Sequence, residues 1–237
     1  MGKKTKIHIS WSGGKDSALA LHQTQQSDKY EIVGLHTVIE EDSGRVGIHN
    51  VKEEFIAAQA EQLGLPLTKL YLKKKPMAYD KLMVEYYQSL KEEGVDCVMF
   101  GDIFLEDLKD FRESLMRKSG MKGLYPLWEM DSEKLIYEFL NEGFKTKLCA
   151  VDAKFIDAKW VGEELDSTFL ANHPEIDPCG ENGEYHSFVV DGPIFKNQIP
   201  LVLKSKYEQD FTFKVKNENG EEEIIEDKFY FAEFELS

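Results

Sequence analysis

Apolar positions along this chain fall into two regimes. Through the first 150 residues, short apolar runs alternate with longer amphipathic stretches. Residues 7–11, 32–39, 67–72, 97–100 and 147–151 have the length and composition of five strands. Residues 17–25, 51–63, 76–93, 106–119 and 132–141 carry apolar positions at helical spacing. Gly64 and Pro66 stop the second of these helices, Pro76 opens the third, and Gly94 closes it. The run at 97–100, Cys-Val-Met-Phe, has no polar face, as expected of a strand covered on both sides. Strands alternating with helices of this size predict a parallel sheet wrapped by helices.

After Asp152 the pattern changes. Pro174, Pro178, Gly180 and Gly183 break the chain, and from Tyr185 onward the reading is β. Phe211, Phe213 and Val215 alternate with polar residues, Asn217 to Gly220 reads as a turn, and 229–236 alternates again, the signature of an antiparallel hairpin. The expected organisation is an α/β domain over residues 1–130 and a smaller mixed α+β domain over 131–237 ending in antiparallel strands.

Composition narrows the function. The 237 residues carry a formal net charge of −15, which disfavours DNA or RNA as a partner. The best basic patch, Lys73-Lys74-Lys75, reads as a solvated loop. No apolar run reaches the roughly 18 residues of a membrane span, and the basic N-terminus lacks the apolar region of a signal peptide. Cys97, Cys149 and Cys179 are odd in number and far apart, which argues against disulfides or zinc and for a reducing cytoplasm.

The strongest local chemistry is Ser12-Gly13-Gly14-Lys15-Asp16-Ser17, between a strand and a helix. Glycines let the backbone turn tightly and approach an anion, and a helix N-terminus offers unpaired N–H groups. Ser12 and Ser17 can donate to phosphate oxygens, and Lys15 can bring its ammonium to them. Asp16 would repel a bare phosphate and makes sense beside Mg²⁺. The spacing is not that of a Walker A loop. Ligands of open α/β sheets sit at the carboxyl ends of strands, which places a ligand near Leu35, His36 and Thr37, with Gly101 and Asp102 facing the same crevice. His36 and Thr37 are equally readable as plain strand residues, Asp102 as a helix cap, and His49 as a surface histidine. Trp128 reads as packing. Cys179 has no well-placed base to make it a nucleophile except His186.

The segment 12–17 resembles the signature of the N-type ATP pyrophosphatases, the PP-loop superfamily. A second stretch, Cys179-Gly180-Glu181-Asn182-Gly183-Glu184-Tyr185-His186-Ser187-Phe188 followed by Asp191-Gly192-Pro193-Ile194-Phe195, is similar to the C-terminal signature of diphthine–ammonia ligases. Phe100 to Ile103, Leu124 to Trp128 and His49-Asn50 are similar to that family as well. The resemblance implies a five-stranded parallel sheet of the adenine-nucleotide α-hydrolase (HUP, Rossmann-like) type. It implies ATP and Mg²⁺ as cofactors, a carboxylate activated by adenylation, pyrophosphate release, and amide formation with ammonia or an amine. The carboxylate, on a small molecule or a modified protein side chain, is left open, as is homo-oligomerisation.

Within that scheme Lys15 and Asp16, with Asp16 holding the metal, serve catalysis at the phosphates. Ser12, Gly13, Gly14, Ser17, His36, Thr37, His49, Gly101 and Asp102 line the nucleotide. Glu181, Gly183, Glu184 and His186 bind the acceptor and the amine. If Tyr185 starts a strand, Glu184 and His186 share one face, Tyr185 points away, and the pair can transfer protons with the histidine titrating near neutrality. Two rival readings are a non-catalytic ATP- or AMP-binding protein and a tRNA-modifying PP-loop enzyme. The acidic segment argues against the first, the net charge and scattered cysteines against the second.

Overall fold

A computed structural model describes residues 3–73, 78–216 and 222–237. Lys74, Lys75, the expected helix opener Pro76 and the expected turn Asn217 to Gly220 lie outside the described residues. The elements run in the order β1 (Thr5–Ser10), α1 (Lys15–Gln25), β2 (Tyr30–Glu40), β3 (Arg45–Val46), β4 (Val51–Lys52), α2 (Glu53–Leu63), β5 (Leu67–Leu72), α3 (Ala78–Glu92), β6 (Cys97–Met99), α4 (Glu106–Ser119) and β7 (Gly123–Leu124). Then follow α5 (Ser132–Asn141), β8 (Lys145–Asp152), α6 (Ser167–Asn172), β9 (Tyr185–Asp191), β10 (Leu201–Lys216) and β11 (Glu222–Leu236).

Five strands pair in parallel in the order β5-β2-β1-β6-β7, and β3 and β4 add a short antiparallel flap beyond the end of β2. The chain winds outward from β1 to β2 and β5, then crosses back to β6 on the other side of β1. With right-handed crossovers, α1 and α2 fall on one face and α3 and α4 on the other. The apolar cores agree. Ala18, Leu21, Phe55 and Ile56 pack on one side, and Met83, Tyr87, Leu115 and Met116 on the other. β1 and β6 therefore flank a topological switch point, where a crevice opens at the carboxyl ends of the strands.

The expected sheet of five parallel strands is present, but its fifth member is not the one the sequence suggested. Residues 147–151 belong to β8, in a second, antiparallel sheet of order β10-β11-β8-β9. The parallel sheet is completed by the two-residue β7. Leu148, Cys149, Ala150 and Val151 are buried on both faces, so their run looked like a parallel strand.

The second sheet leans on the first through one core. Phe188 of β9 faces Phe55 of α2 at 6.1 Å between ring centres, and Phe139 stacks on Phe144 at 4.6 Å. A fully buried amide ties the seam: Gln59 Nε2 donates to the carbonyls of Gly13 (2.9 Å) and Val189 (2.7 Å), and its Oε1 accepts from Trp11 Nε1 (2.8 Å). The turn between β3 and β4 is clamped to the hairpin of β10 and β11. Arg45 Nη2 and Lys52 Nζ reach the Glu233 carboxylate at 2.7 and 2.8 Å, and Asn50 Nδ2 donates to the Tyr207 hydroxyl at 2.8 Å. Among the described residues, no helix is long and apolar enough to cross a membrane.

Candidate active site

The phosphate-type loop owes its shape to what presses on it. Gly13 has φ +83°, and a Cβ there would lie 2.7 Å from Gln59 Oε1 and from Ile56 Cδ1. A Cβ on Gly14 would sit 2.8 Å from His49 Cε1, and one on Gly101 2.9 Å from the backbone of Asp16 and Ser17. The loop thus runs wedged between α2, the β3–β4 turn and the end of β6. Its hydroxyls brace the start of α1: Gly14 N donates to Ser12 Oγ (3.2 Å), Ser17 Oγ to the Gly14 carbonyl (3.0 Å), and Lys15 N to Ser187 Oγ (3.3 Å). The first-turn N–H groups of α1 have no helical carbonyl to bond; Lys15 N is taken by Ser187, and Lys15, Asp16 and Ser17 all line the crevice.

That crevice encloses about 470 Å³. Ser12, Lys15, Asp16, Ser17, Thr37, His49, Gly101, Asp102, Glu181 and His186 all line it, so ten of the anticipated residues from five chain segments meet in one cavity. Gly13 and Gly14 lie behind the wall as packing positions. Lys15 Nζ bonds Asp16 Oδ2 at 2.9 Å and stands 5.1 Å from the centre of the Tyr185 ring. Burial opposes the Lys15 charge, but the adjacent Asp16 carboxylate outweighs it and holds the ammonium's proton above the ordinary lysine range. Burial pushes the Asp16 carboxyl upward, and Lys15 offsets part of that.

Three anticipated residues are elsewhere. His36 is buried on the opposite face of β2, its Nδ1 3.1 Å from His8 Nδ1 and its ring 5.1 Å from Tyr86, because successive strand residues face opposite sides. Thr37, its neighbour, is the one that reaches the crevice. Glu184 is turned back into its own loop, where it accepts from Asp177 N and Asn182 Nδ2, each at 3.1 Å. It does not meet His186. Gly183, with φ +93°, shapes that turn and is not among the residues lining the cavity. Tyr185, expected to point away, lines the crevice.

The expected titration of His186 is also corrected. Burial, reinforced by His49 and Lys15, lowers it well below the usual histidine range, so the ring is neutral at neutral pH. The crevice carboxyl that moves toward neutrality is Glu181. Burial, with the Asp16 charge adding to it, raises Glu181 to about 7, while its Oε1 accepts from Ile103 N at 2.9 Å. Cys179 donates Sγ–H to the Ser132 carbonyl and is pushed up to about 12 by burial, which disfavours the thiolate a nucleophile needs.

Arg112 and Gln59 were missed by sequence reading. Arg112, from α4, grips Asp102 with Nε at 2.5 Å and Nη2 at 3.1 Å, and its guanidinium lies 4.7 Å from the Phe100 ring centre. Asp102 therefore neither caps α4, whose N-cap is Leu105, nor stands as a lone carboxylate. Trp128 packs beneath Lys109, whose Nζ is 3.8 Å from the ring centre.

A phosphate-type loop at the switch point of a five-stranded parallel sheet defines an α/β protein of the PP-loop class. Its two halves match successive family models, the diphthamide synthase N-terminal domain over residues 5–123 and the diphthamide synthase C-terminal domain over 131–221. The chain belongs to the diphthamide synthase family. It is 30% identical over 223 residues to the diphthine–ammonia ligase of Schizosaccharomyces pombe, an alignment covering 83% of this chain and 36% of that protein. The chain thus spans about a third of that relative's length. It is 27% identical over 214 residues to the diphthine–ammonia ligases of Bos taurus and Homo sapiens, covering 79% of each chain in both cases. Among solved structures, a U34-tRNA thiolase from Methanococcus maripaludis aligns with 59% of this chain and 58% of its own, at TM-score 0.41 and 16% identity.

Proposed function

We propose that this protein is an ATP-dependent ligase that adenylates a carboxylate, releases pyrophosphate, and joins the acyl group to ammonia. Diphthine and ammonia, the pair in the relatives' names, are the substrates this reading offers first. The observation that carries it is one cavity holding both the Ser12–Ser17 loop and Glu181, a carboxyl that titrates near neutrality. Residues 1–130 would hold ATP and residues 131–237 the acceptor, with the crevice between them.

In this reading the α1 N-terminus and Lys15 take the triphosphate, where their charge stabilises the departing pyrophosphate. Thr37 borders the adenine side. A Mg²⁺ ion would supply further charge neutralisation at the phosphates. Among the described residues, no group of three metal-ligating side chains exists, and Asp16 offers one crevice-facing carboxylate. That fits an ion held mainly by phosphate oxygens and water. Asp102 is held by Arg112 and shapes the far wall. Glu181 receives a proton from the incoming nitrogen. Free, buried cysteines suit a reducing cytoplasm.

The test is to incubate the protein with ATP, MgCl₂ and ammonium together with candidate carboxylates, a diphthine-bearing protein among them, and to separate the nucleotides. Equimolar AMP and pyrophosphate, dependent on the acid, is the expected result. Stoichiometric ADP, or no nucleotide turnover with any acid including diphthine, would refute the reading.

A further inference from the structure

Two imidazoles in the crevice, His49 expected at the nucleotide and His186 at the acceptor and amine, have no role in the ligase steps proposed above. His49 sits on the β3–β4 turn, and its Nδ1 is 3.1 Å from the carbonyl oxygen of Ser187. A carbonyl has no proton to give, so Nδ1 carries the hydrogen and Nε2 presents a lone pair. His186 stands opposite, its ring centre 5.0 Å from that of His49 with the planes at 55°. Its Nε2 is buried without a partner, although the residue lines the cavity. A polar atom left unpaired in the wall of a cavity is where a ligand's polar atom is expected.

The chemistry of that ligand follows from what the rings can accept. A lone pair on His49 Nε2 repels a phosphate or carboxylate oxygen and accepts an N–H. Burial, with Lys15 adding to it, keeps both rings neutral, His49 being lowered to about 4 and His186 well below its usual range. Glu181 lines the same cavity and brings a carboxylate. We infer that His49 and His186 form the subsite for the nitrogen nucleophile, binding ammonium or a small primary amine through N–H groups donated to their Nε2 atoms.

This inference rests on the ligase reading and fixes where its second substrate sits. Ammonium passes one proton to the Glu181 carboxylate, which exposes the nitrogen lone pair. The C–N bond forms, the bond from acyl carbon to the AMP oxygen breaks with its electron pair on AMP, and the second surplus proton leaves to water. Both rings act as positioning groups and stay neutral throughout.

Two experiments test it, the first without any acceptor. Protein labelled with ¹⁵N-histidine is titrated with ammonium chloride, and separately with tetramethylammonium chloride at equal ionic strength. Ring resonances are assigned with His49→Gln and His186→Gln. At pH 7.5 His49 should show a protonated Nδ1 and a bare Nε2, and ammonium should shift both Nε2 signals saturably while His22 and His173 stay put. A bare Nδ1 on His49, an absent shift, or an equal shift with tetramethylammonium overturns the subsite. In the second, His186→Ala should raise the KM for ammonium at least tenfold, leave the KM for ATP within twofold, and be partly rescued in His186→Asn. An unchanged KM for ammonium in an active ligase overturns the subsite alone. Failure to make AMP with any acid refutes the ligase reading, and the NMR arm is scored on its own.

Discussion

Replacing Glu181 by Gln separates the cost of this carboxyl from its use. The Gln side chain keeps an oxygen to accept the Ile103 N–H and loses only the titratable proton. Glu181 is raised from 4.5 in the unfolded chain to about 7 in the folded protein, by burial first and by the Asp16 charge second. The folded state therefore binds the proton more tightly than the unfolded state. Stability contributed by the protonated carboxyl is complete below pH 4.5 and is lost as pH rises to 7. A shift from 4.5 to about 7 corresponds to at most about 3.5 kcal/mol, because one pKa unit is worth ~1.4 kcal/mol. Wild type and Glu181→Gln should thus melt at similar temperatures at pH 4.5. At pH 8 the variant should be more stable, by up to about 10 °C for a chain of this length. Activity should move the opposite way. Wild-type turnover should climb about ninefold from pH 6 to pH 8, following an ionised fraction that goes from about a tenth to about nine tenths. The variant should be slow and flat with pH. Calorimetry across pH, with AMP release at saturating ATP, measures both. A stability difference that does not change with pH would refute the environment assigned to Glu181, and a pH-dependent variant would refute its role.

Other consequences are sharper still. Lys15→Ala and Asp16→Asn should each lower pyrophosphate release about a hundredfold or more while circular dichroism stays unchanged, since a lost charged contact in the transition state costs about 3 kcal/mol. Gly101→Ala should cost about 1–3 kcal/mol in urea unfolding, because its methyl would meet the α1 backbone at 2.9 Å and neither side can give. The buried His8, lowered to about 4, should make the protein acid-sensitive. Its contribution is complete above pH 6.5 and is lost toward pH 4, so His8→Gln should flatten the stability profile in that window.

How much of this was legible in the sequence depended on how local each feature is. The phosphate-type loop could be read because its glycines, lysine, aspartate and serines are contiguous and lie between a strand and a helix. The helices at Glu106–Ser119 and Ser132–Asn141 could be read to the residue from apolar spacing. The two-residue β7 is too short to show any period, and β8 resembled a parallel strand because burial on both faces erases alternation. Gln59 was invisible because its partners lie 46 and 130 positions away. Glu181 and Glu184 are the same residue type three apart, and only the turn around Gly183 decides which faces the crevice.

The clamp on the β3–β4 turn bears on the order in which the molecule becomes competent. The phosphate-type loop is complete as a peptide by residue 17, yet the groups that hold it arrive much later: Ser187 beneath Lys15 N, Val189 N on the Gly13 carbonyl, and Glu233 on Arg45 and Lys52. During synthesis the parallel strands can assemble long before these contacts exist. A fragment of residues 1–130 would carry the signature segment with its turn unanchored and one wall of the crevice missing. Nucleotide affinity should therefore appear as a late folding event, and should report on the packing of the last strands as much as on the phosphate-type loop itself.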